Sequence, residues 1–296
     1  MPTLLPAVLP VGLIVLIGFI AGRTLPLERS TLSQVVLYVL SPALVIDSLY
    51  RTKLSWFSSS QLLAGFALTS IIIYLLVWLV SLLSNFPPSL RRGITAIVMF
   101  PNNGNMGLPV VTFALGTSGL DRAIIYMLGS SFLMFCLGPA IVRGKGFVRG
   151  LKLTFKLPLI WAILFGISLR LLSIRLPWEL DKGIQQLGAA AIPIALIVLG
   201  MQLSETIFLP KTREFLVAIA RLIISPGIAY FVGRLLQLET LDLQVLVLQS
   251  AMPTAVNSLI IASEFGGDKD LVARAIVTST MISFVTLPLI ILAIGF

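Results

Sequence analysis

The chain has 296 residues, 57% of them hydrophobic and 11% charged, with a net charge of +9, one cysteine and no histidine. Soluble domains carry roughly 25% charged residues, so this composition excludes a soluble fold and points to a membrane protein. The lone Cys136 excludes an internal disulfide and shows no metal-ligand spacing around it, and the missing histidines remove the commonest general base and metal ligand.

In chain order, ten apolar stretches predict ten transmembrane helices, near 4–22, 31–50, 61–83, 93–117, 123–142, 157–174, 184–203, 214–235, 241–264 and 272–295. The first has no basic residue before Arg23, so it reads as a span and not as a cleaved signal peptide. Its Gly18 and Gly22 form a small-xxx-small pattern suited to helix packing. The second span carries Asp47 near its outer end. An acid there can move a proton, or it can pair with Arg51 one turn on.

The fourth span is interrupted by "PNNGNMGLP" (101–109), which holds Pro101, Gly104, Gly107 and Pro109 among three asparagines. The longest connection, 143–156, reads "RGKGFVRGLKLTFK" and is rich in Arg and Lys. Span 8 contains Arg221, read either as an attractor of anions or as a side chain that snorkels to the interface. The ninth span is interrupted at "AMPTAVNSL" (251–259), with Gln249 one turn earlier and Glu264 seven residues after Asn257. Glu264 can couple a cation or proton to the site, or be a solvated residue beside Lys269.

The segments after spans 1, 3, 5, 7 and 9 hold thirteen Arg and Lys residues, and those on the other side hold seven. By the positive-inside rule the first side is cytoplasmic, which puts both termini outside a plasma (inner) membrane. Basic residues at helix ends and in short loops, without a basic–aromatic cluster, are explained by topology and lipid headgroups rather than nucleic acid.

Prolines recur at a nearly fixed offset. Pro101 and Pro253 differ by 152, Pro42 and Pro193 by 151, Pro139 and Pro288 by 149, and Pro10 and Pro158 by 148. Five spans per copy is an odd number, so the second copy enters the membrane from the opposite side. The expected fold is therefore an all-α polytopic membrane protein made of two inverted five-helix repeats, 1–150 and 151–296, with broken helices 4 and 9 that cross.

Aligning Pro101 on Pro253 places Asn105 on Asn257, again 152 apart. Proline stops each helix, and the restarted half presents its free N–H groups and positive dipole end at the break. Two such ends make an anion site without a cationic side chain. The amides of Asn102, Asn103, Asn105 and Asn257 and the hydroxyls of Thr254 and Ser258 are the expected carboxylate ligands.

"NNGNMGLPVV" (102–111) and the tail "AMPTAVNSLIIASEFGGDKDLVARAIVTSTMISFVTLPL" (251–289) resemble the auxin efflux carrier family. The resemblance implies a scaffold from spans 1, 2, 6 and 7, a moving part from spans 3–5 and 8–10, elevator-type transport and a homodimer. It also implies that Asn105, Pro101 and Pro253 contact a substrate carboxylate. The chain lacks the long loop between spans 5 and 6 of many plant carriers, and its span 4 motif departs from theirs between the prolines, which argues against auxin itself.

The expected function is a secondary carrier of small organic anions, with the bilayer and the anion as partners and no cofactor. A cation–proton antiporter or cation-coupled symporter of similar topology is the alternative; neither interruption holds the acidic residue such exchangers need. No Ser/His, paired-Asp or metal constellation supports an enzyme.

Overall fold

The computed structural model describes residues 4–52, 54–143, 155, 158–174, 176–205 and 211–295. Most of the basic 143–156 connection, on which the expected orientation leans, lies outside the described residues, as does the expected repeat boundary at 150. The described chain is helical, with no strand. Its helices are α1 (Leu4–Thr24), α2 (Arg29–Arg51), α3 (Trp56–Leu83), α4 (Pro88–Met99), α5 (Asn103–Leu137, running on to Arg143), α6 (Pro158–Leu171), α7 (Pro177–Ser204), α8 (Thr212–Leu235), α9 (Thr240–Ser250), α10 (Asn257–Phe265) and α11 (Lys269–Ala293). Among the described residues α2, α3, α5, α7, α8 and α11 are each long and apolar enough to cross a membrane, which makes this an integral membrane protein.

Helix starts follow local chemistry. Ser55 caps α3 by accepting from the Ser58 N–H at 3.1 Å, and Asp268 caps α11 by accepting from the Leu271 N–H at 3.0 Å. Three helices, α2, α5 and α8, widen locally into π turns, at Val36–Leu40, at Asn103–Gly107 and Leu133–Leu137, and at Ala220–Ile224. Each π turn ends two residues before a proline: Pro42, Pro109, Pro139 and Pro226. A proline lacks the N–H and its ring collides with the carbonyl four residues back, so the wider turn removes the collision without ending the helix.

The fourth span is broken where the sequence predicts. The 93–117 stretch is two rods: α4 ends at Met99 and the chain restarts at Asn103. The second rod then ends in a sharp kink at Gly116 (φ +68°, ψ −163°), a conformation that only glycine adopts readily, and the expected fifth span follows as a separate rod. Gly266 (φ +74°) closes α10 in the same way.

Packing divides the helices into two groups. α1 lies against α7, and α2 against both α6 and α7. These contacts are backbone-close: a Cβ on Gly18 would meet the Ile197 carbonyl, one on Gly200 the Val15 carbonyl, one on Gly188 the backbone of Leu44, and one on Gly166 the backbone of Ile46. The expected packing role of Gly18 and Gly22 therefore holds, with Gly22 seated on Met201 and Ser204. α3, α4, the later part of α5 and α8 to α11 pack on one another. Here Gly65 and Gly233 approach Leu246, Gly129 approaches Phe66, and Gly107 approaches Gln249. The two groups meet where α1, α2 and α7 touch α5, and where α1 touches α11. Among the described residues, none of the close glycine approaches bridges that boundary.

Ion pairs tie the ends of the second group. Arg122 of α5 pairs with fully buried Asp242 at the start of α9, which also accepts from the Ser58 hydroxyl. Arg274 of α11 donates at 2.6 Å to buried Glu214 at the start of α8. Arg122 and Arg274 are 152 residues apart, the offset that separates the two helix breaks.

Candidate functional site

The site is the place where the two breaks cross. Pro101 follows α4 and holds Phe100 in an extended conformation (φ −117°, ψ 88°), because a residue before proline avoids the helical region. Pro253 follows α9 after a turn at Ala251 and Met252. The two extended runs lie antiparallel, with Pro101 opposite Thr254. The Asn102 N–H donates to the Pro253 carbonyl at 2.7 Å, and the Ala255 N–H donates to the Phe100 carbonyl at 2.8 Å. Each break thus satisfies the backbone groups freed by the other, which removes several kcal/mol of cost per group in hydrocarbon.

The C-terminal ends of α4 and α9 share one cation. Arg221, on the π turn of α8, is fully buried, and its guanidinium donates from Nε to the Met252 carbonyl at 2.9 Å, from Nη1 to the Val98 carbonyl at 2.8 Å and from Nη2 to the Ser250 carbonyl at 2.7 Å. These carbonyls carry the negative ends of two helix dipoles, and the rigid planar fork reaches both at once. The expectation that Arg221 snorkels to the interface is overturned. The π turn before Pro226 aims the side chain inward, where orphan carbonyls outcompete a distant headgroup.

The N-terminal ends of α5 and α10 begin on the other side of the crossing. Met106 and Gly107 donate to the Asn102 carbonyl, and Asn103 donates to the Pro101 carbonyl. The first-turn geometry leaves the Gly104 and Asn105 N–H groups without an intrahelical acceptor, and the same holds for Asn257 at the start of α10.

The expected ligands separate into three sets. Asn105 and Asn257, with Gly104, are partly exposed at the two N-terminal ends. Asn102 and Asn103 are buried, and the Asn103 amide has no hydrogen-bond partner on either atom. Thr254 and Ser258 are fully buried, and their hydroxyls donate inward, Thr254 to the Ile97 carbonyl at 3.2 Å and Ser258 to the Phe100 carbonyl at 3.4 Å. They complete the end of α4 rather than offering a free donor. Gln249 is fully buried against Gly107, and its amide likewise lacks a partner on both atoms. Buried orphan amides of this kind mark a place where water or a ligand completes the bonding.

Asp47 and Glu264 are not brought to the crossing. Asp47 pairs with Arg51 at 2.7 Å, and Arg51 also reaches Asp181 at 2.9 Å, at the end of α2. Glu264 is exposed near the end of α10. The sequence reading missed Ser279, whose hydroxyl accepts from the Thr254 N–H at 3.1 Å, and the buried Tyr126–Ser250 hydroxyl pair at 2.9 Å. Their only signal was polarity inside apolar helices. The crossing therefore presents helix N-termini and amides, is backed by a buried cation, and has no carboxylate in either break. Such a site suits an anion.

Comparison with known proteins follows the same direction. The profile of a family described as membrane transport protein matches residues 3–149 and 146–291. An uncharacterized transporter of Methanothermobacter thermautotrophicus is 32% identical over 294 residues, covering 95% of each chain. An uncharacterized transporter of Methanocaldococcus jannaschii is 28% identical, covering 95% of this chain and 96% of its own. A protein of Rhizobium meliloti provisionally named as a malonate transporter is 24% identical, covering 94% and 92%.

Proposed function

We propose, from the premise that this chain belongs to the membrane transport protein family of auxin efflux carriers, that it is a secondary transporter of small organic anions. The substrate carboxylate sits at the crossing of α4/α5 with α9/α10. The observation that carries this reading is the pair of converging half-helix starts, backed by Arg221 and free of acidic side chains. Asn105 and Asn257 are the direct ligands, with Asn102 and Asn103 behind them. A relative named for malonate supports a carboxylate as the class of cargo.

The same reading takes the chain as ten spans in two inverted copies, meeting near residue 150. Four relations support it: Pro101 with Pro253, Asn105 with Asn257 and Arg122 with Arg274, all 152 apart, and the positive-φ glycines Gly116 and Gly266, 150 apart. α1, α2, α6 and α7 form a scaffold, and the remaining helices carry the site past it in an elevator motion. Glycine contacts that interlock helices within each group but not across the boundary support sliding there. In this reading the protein is a homodimer of the plasma (inner) membrane with both termini outside.

The test is uptake by proteoliposomes offered a panel of labelled mono- and dicarboxylates, paired with thermal stabilisation by the same acids. A substrate stabilises wild type by mass action. In Asn105→Ala, binding of that acid is expected to weaken at least tenfold, because a buried carboxylate loses a donor worth about 1.5–3 kcal/mol. Correctly inserted protein that moves no acid of the panel, or an Asn105 variant of unchanged affinity, would overturn the reading.

A further inference from the structure

A groove of about 760 Å³ runs between α3, α4 and α8, away from the boundary with α1, α2, α6 and α7. Its shaft is apolar, walled by Ile73 and Val77 of α3, Ile94 and Val98 of α4, and Val217 and Ala220 of α8. Its rim includes Leu76, Val80, Leu216 and Ile224, which are 41–61% exposed, so the shaft opens on the lipid-facing surface of the bundle. From Ile73 to Ser84 the wall spans eleven residues of chain, about 16 Å of helix rise. That is the length of an extended hydrocarbon chain and far more than a short soluble acid fills.

The mouth is of opposite character. Ser84, Asn85 and Arg213 line it, and the starts of α4 and α8 converge there, since Pro87 and Leu90 border it from one and Arg213 and Leu216 from the other. Two helix N-termini and a guanidinium form a cradle for a phosphate. Arg213 has no carboxylate partner among the described residues; its neighbour Glu214 faces Arg274 instead. One turn below Asn85, the Ser81 hydroxyl is 3% exposed, lines the groove and has no hydrogen-bond partner. A phosphate above, a polar linkage at the level of Ser81 and an alkyl chain beneath is the order of groups in a phospholipid.

We propose that this groove binds an anionic membrane phospholipid, its phosphate at Arg213 and one acyl chain along the shaft to Val98. The inner end of the site touches Val98 and Ala220, which flank the Arg221 clamp, so the bound chain braces α4 against α8 beside the crossing. The proposal does not depend on the identity of the transported anion.

The experiment uses full-length protein stripped of lipid in detergent and given phosphatidylglycerol, phosphatidylcholine or glycerol phosphate. Native mass spectrometry reads retained lipid, and thermal unfolding reads stabilisation. Wild type is expected to hold phosphatidylglycerol about fivefold more tightly than phosphatidylcholine, the factor one basic residue contributes at an anionic headgroup. Glycerol phosphate, which has the head and no chain, leaves the unfolding temperature unchanged. Arg213→Ala abolishes the headgroup preference and Arg213→Lys keeps most of it. Val77→Trp, which plugs the shaft, loses both lipids; should it not fold, the Arg213 pair decides alone. Equal retention of the two lipids by wild type, full preference in Arg213→Ala, or stabilisation by glycerol phosphate would each overturn the assignment.

Discussion

Arg221 is the residue on which the crossing depends, through three backbone carbonyls and no carboxylate. A charge two turns into an apolar helix is visible in the sequence. Its target was not, because Val98, Ser250 and Met252 are brought together only when two breaks 152 residues apart meet. By contrast, Asn105 and Asn257 could be paired from spacing alone, since that pairing rests on one alignment of prolines. The hydroxyls of Thr254 and Ser258 look like ligands in a sequence, yet a hydroxyl beside a helix break has the nearest orphan carbonyl as its first acceptor. Replacing Arg221 with Met leaves three buried carbonyls short of a donor, at about 1–3 kcal/mol each before relaxation. We expect thermal unfolding of Arg221→Met in detergent to begin several degrees below wild type. Arg221→Lys should fall between the two, because an ammonium keeps the charge and loses the fork. Equal stability of Arg221→Met and wild type would remove the clamp from the account.

At the scale of elements, hydropathy located the long apolar helices because hydrocarbon thickness fixes their length. It could not reveal the π turns, which depend on how each helix resolves its proline, or that the connection between spans 4 and 5 is a sharp kink. That kink rests on one backbone conformation at Gly116. Nor could it distinguish glycines that admit a neighbour from glycines that face open space. Gly200 lies on the backbone of α1, whereas nothing approaches the position of a Cβ at Gly227 within 4 Å. The same substitution should therefore have opposite signs. Gly227→Ala is expected to raise stability by up to about 1 kcal/mol through helix propensity. Gly200→Ala is expected to lower it by about 1–3 kcal/mol through overpacking. Unfolding temperatures of the two variants, measured side by side, check the contrast; a shift of the same sign in both would contradict the α1–α7 contact.

For the whole molecule, the consequential surface is the boundary between α1, α2, α6, α7 and the rest. Val11 of α1 and Val110 of α5 line one small cavity across it. With Cys136 replaced by serine, cysteines introduced at both positions can be bridged by a short thiol-specific reagent. If transport requires one group to slide past the other, bridging reduces uptake to background while substrate still stabilises the protein. Full uptake after complete bridging would rule out movement at this boundary. The grouping itself follows from where the small residues fall, but only tertiary contact shows that Gly18 and Gly200 belong to one seam and Gly107 to another.

The hydrogen bonds between the two breaks also bear on how the molecule is made. When the ribosome has delivered the chain as far as α5, the Phe100 carbonyl lacks its donor and the Asn102 N–H its acceptor, because their partners at Ala255 and Pro253 have yet to be synthesised. Arg221, which closes the end of α4, has not been translated either. The seam at the end of α4 therefore stays open until residues 253–255 are made, and α9 and the run after it close it.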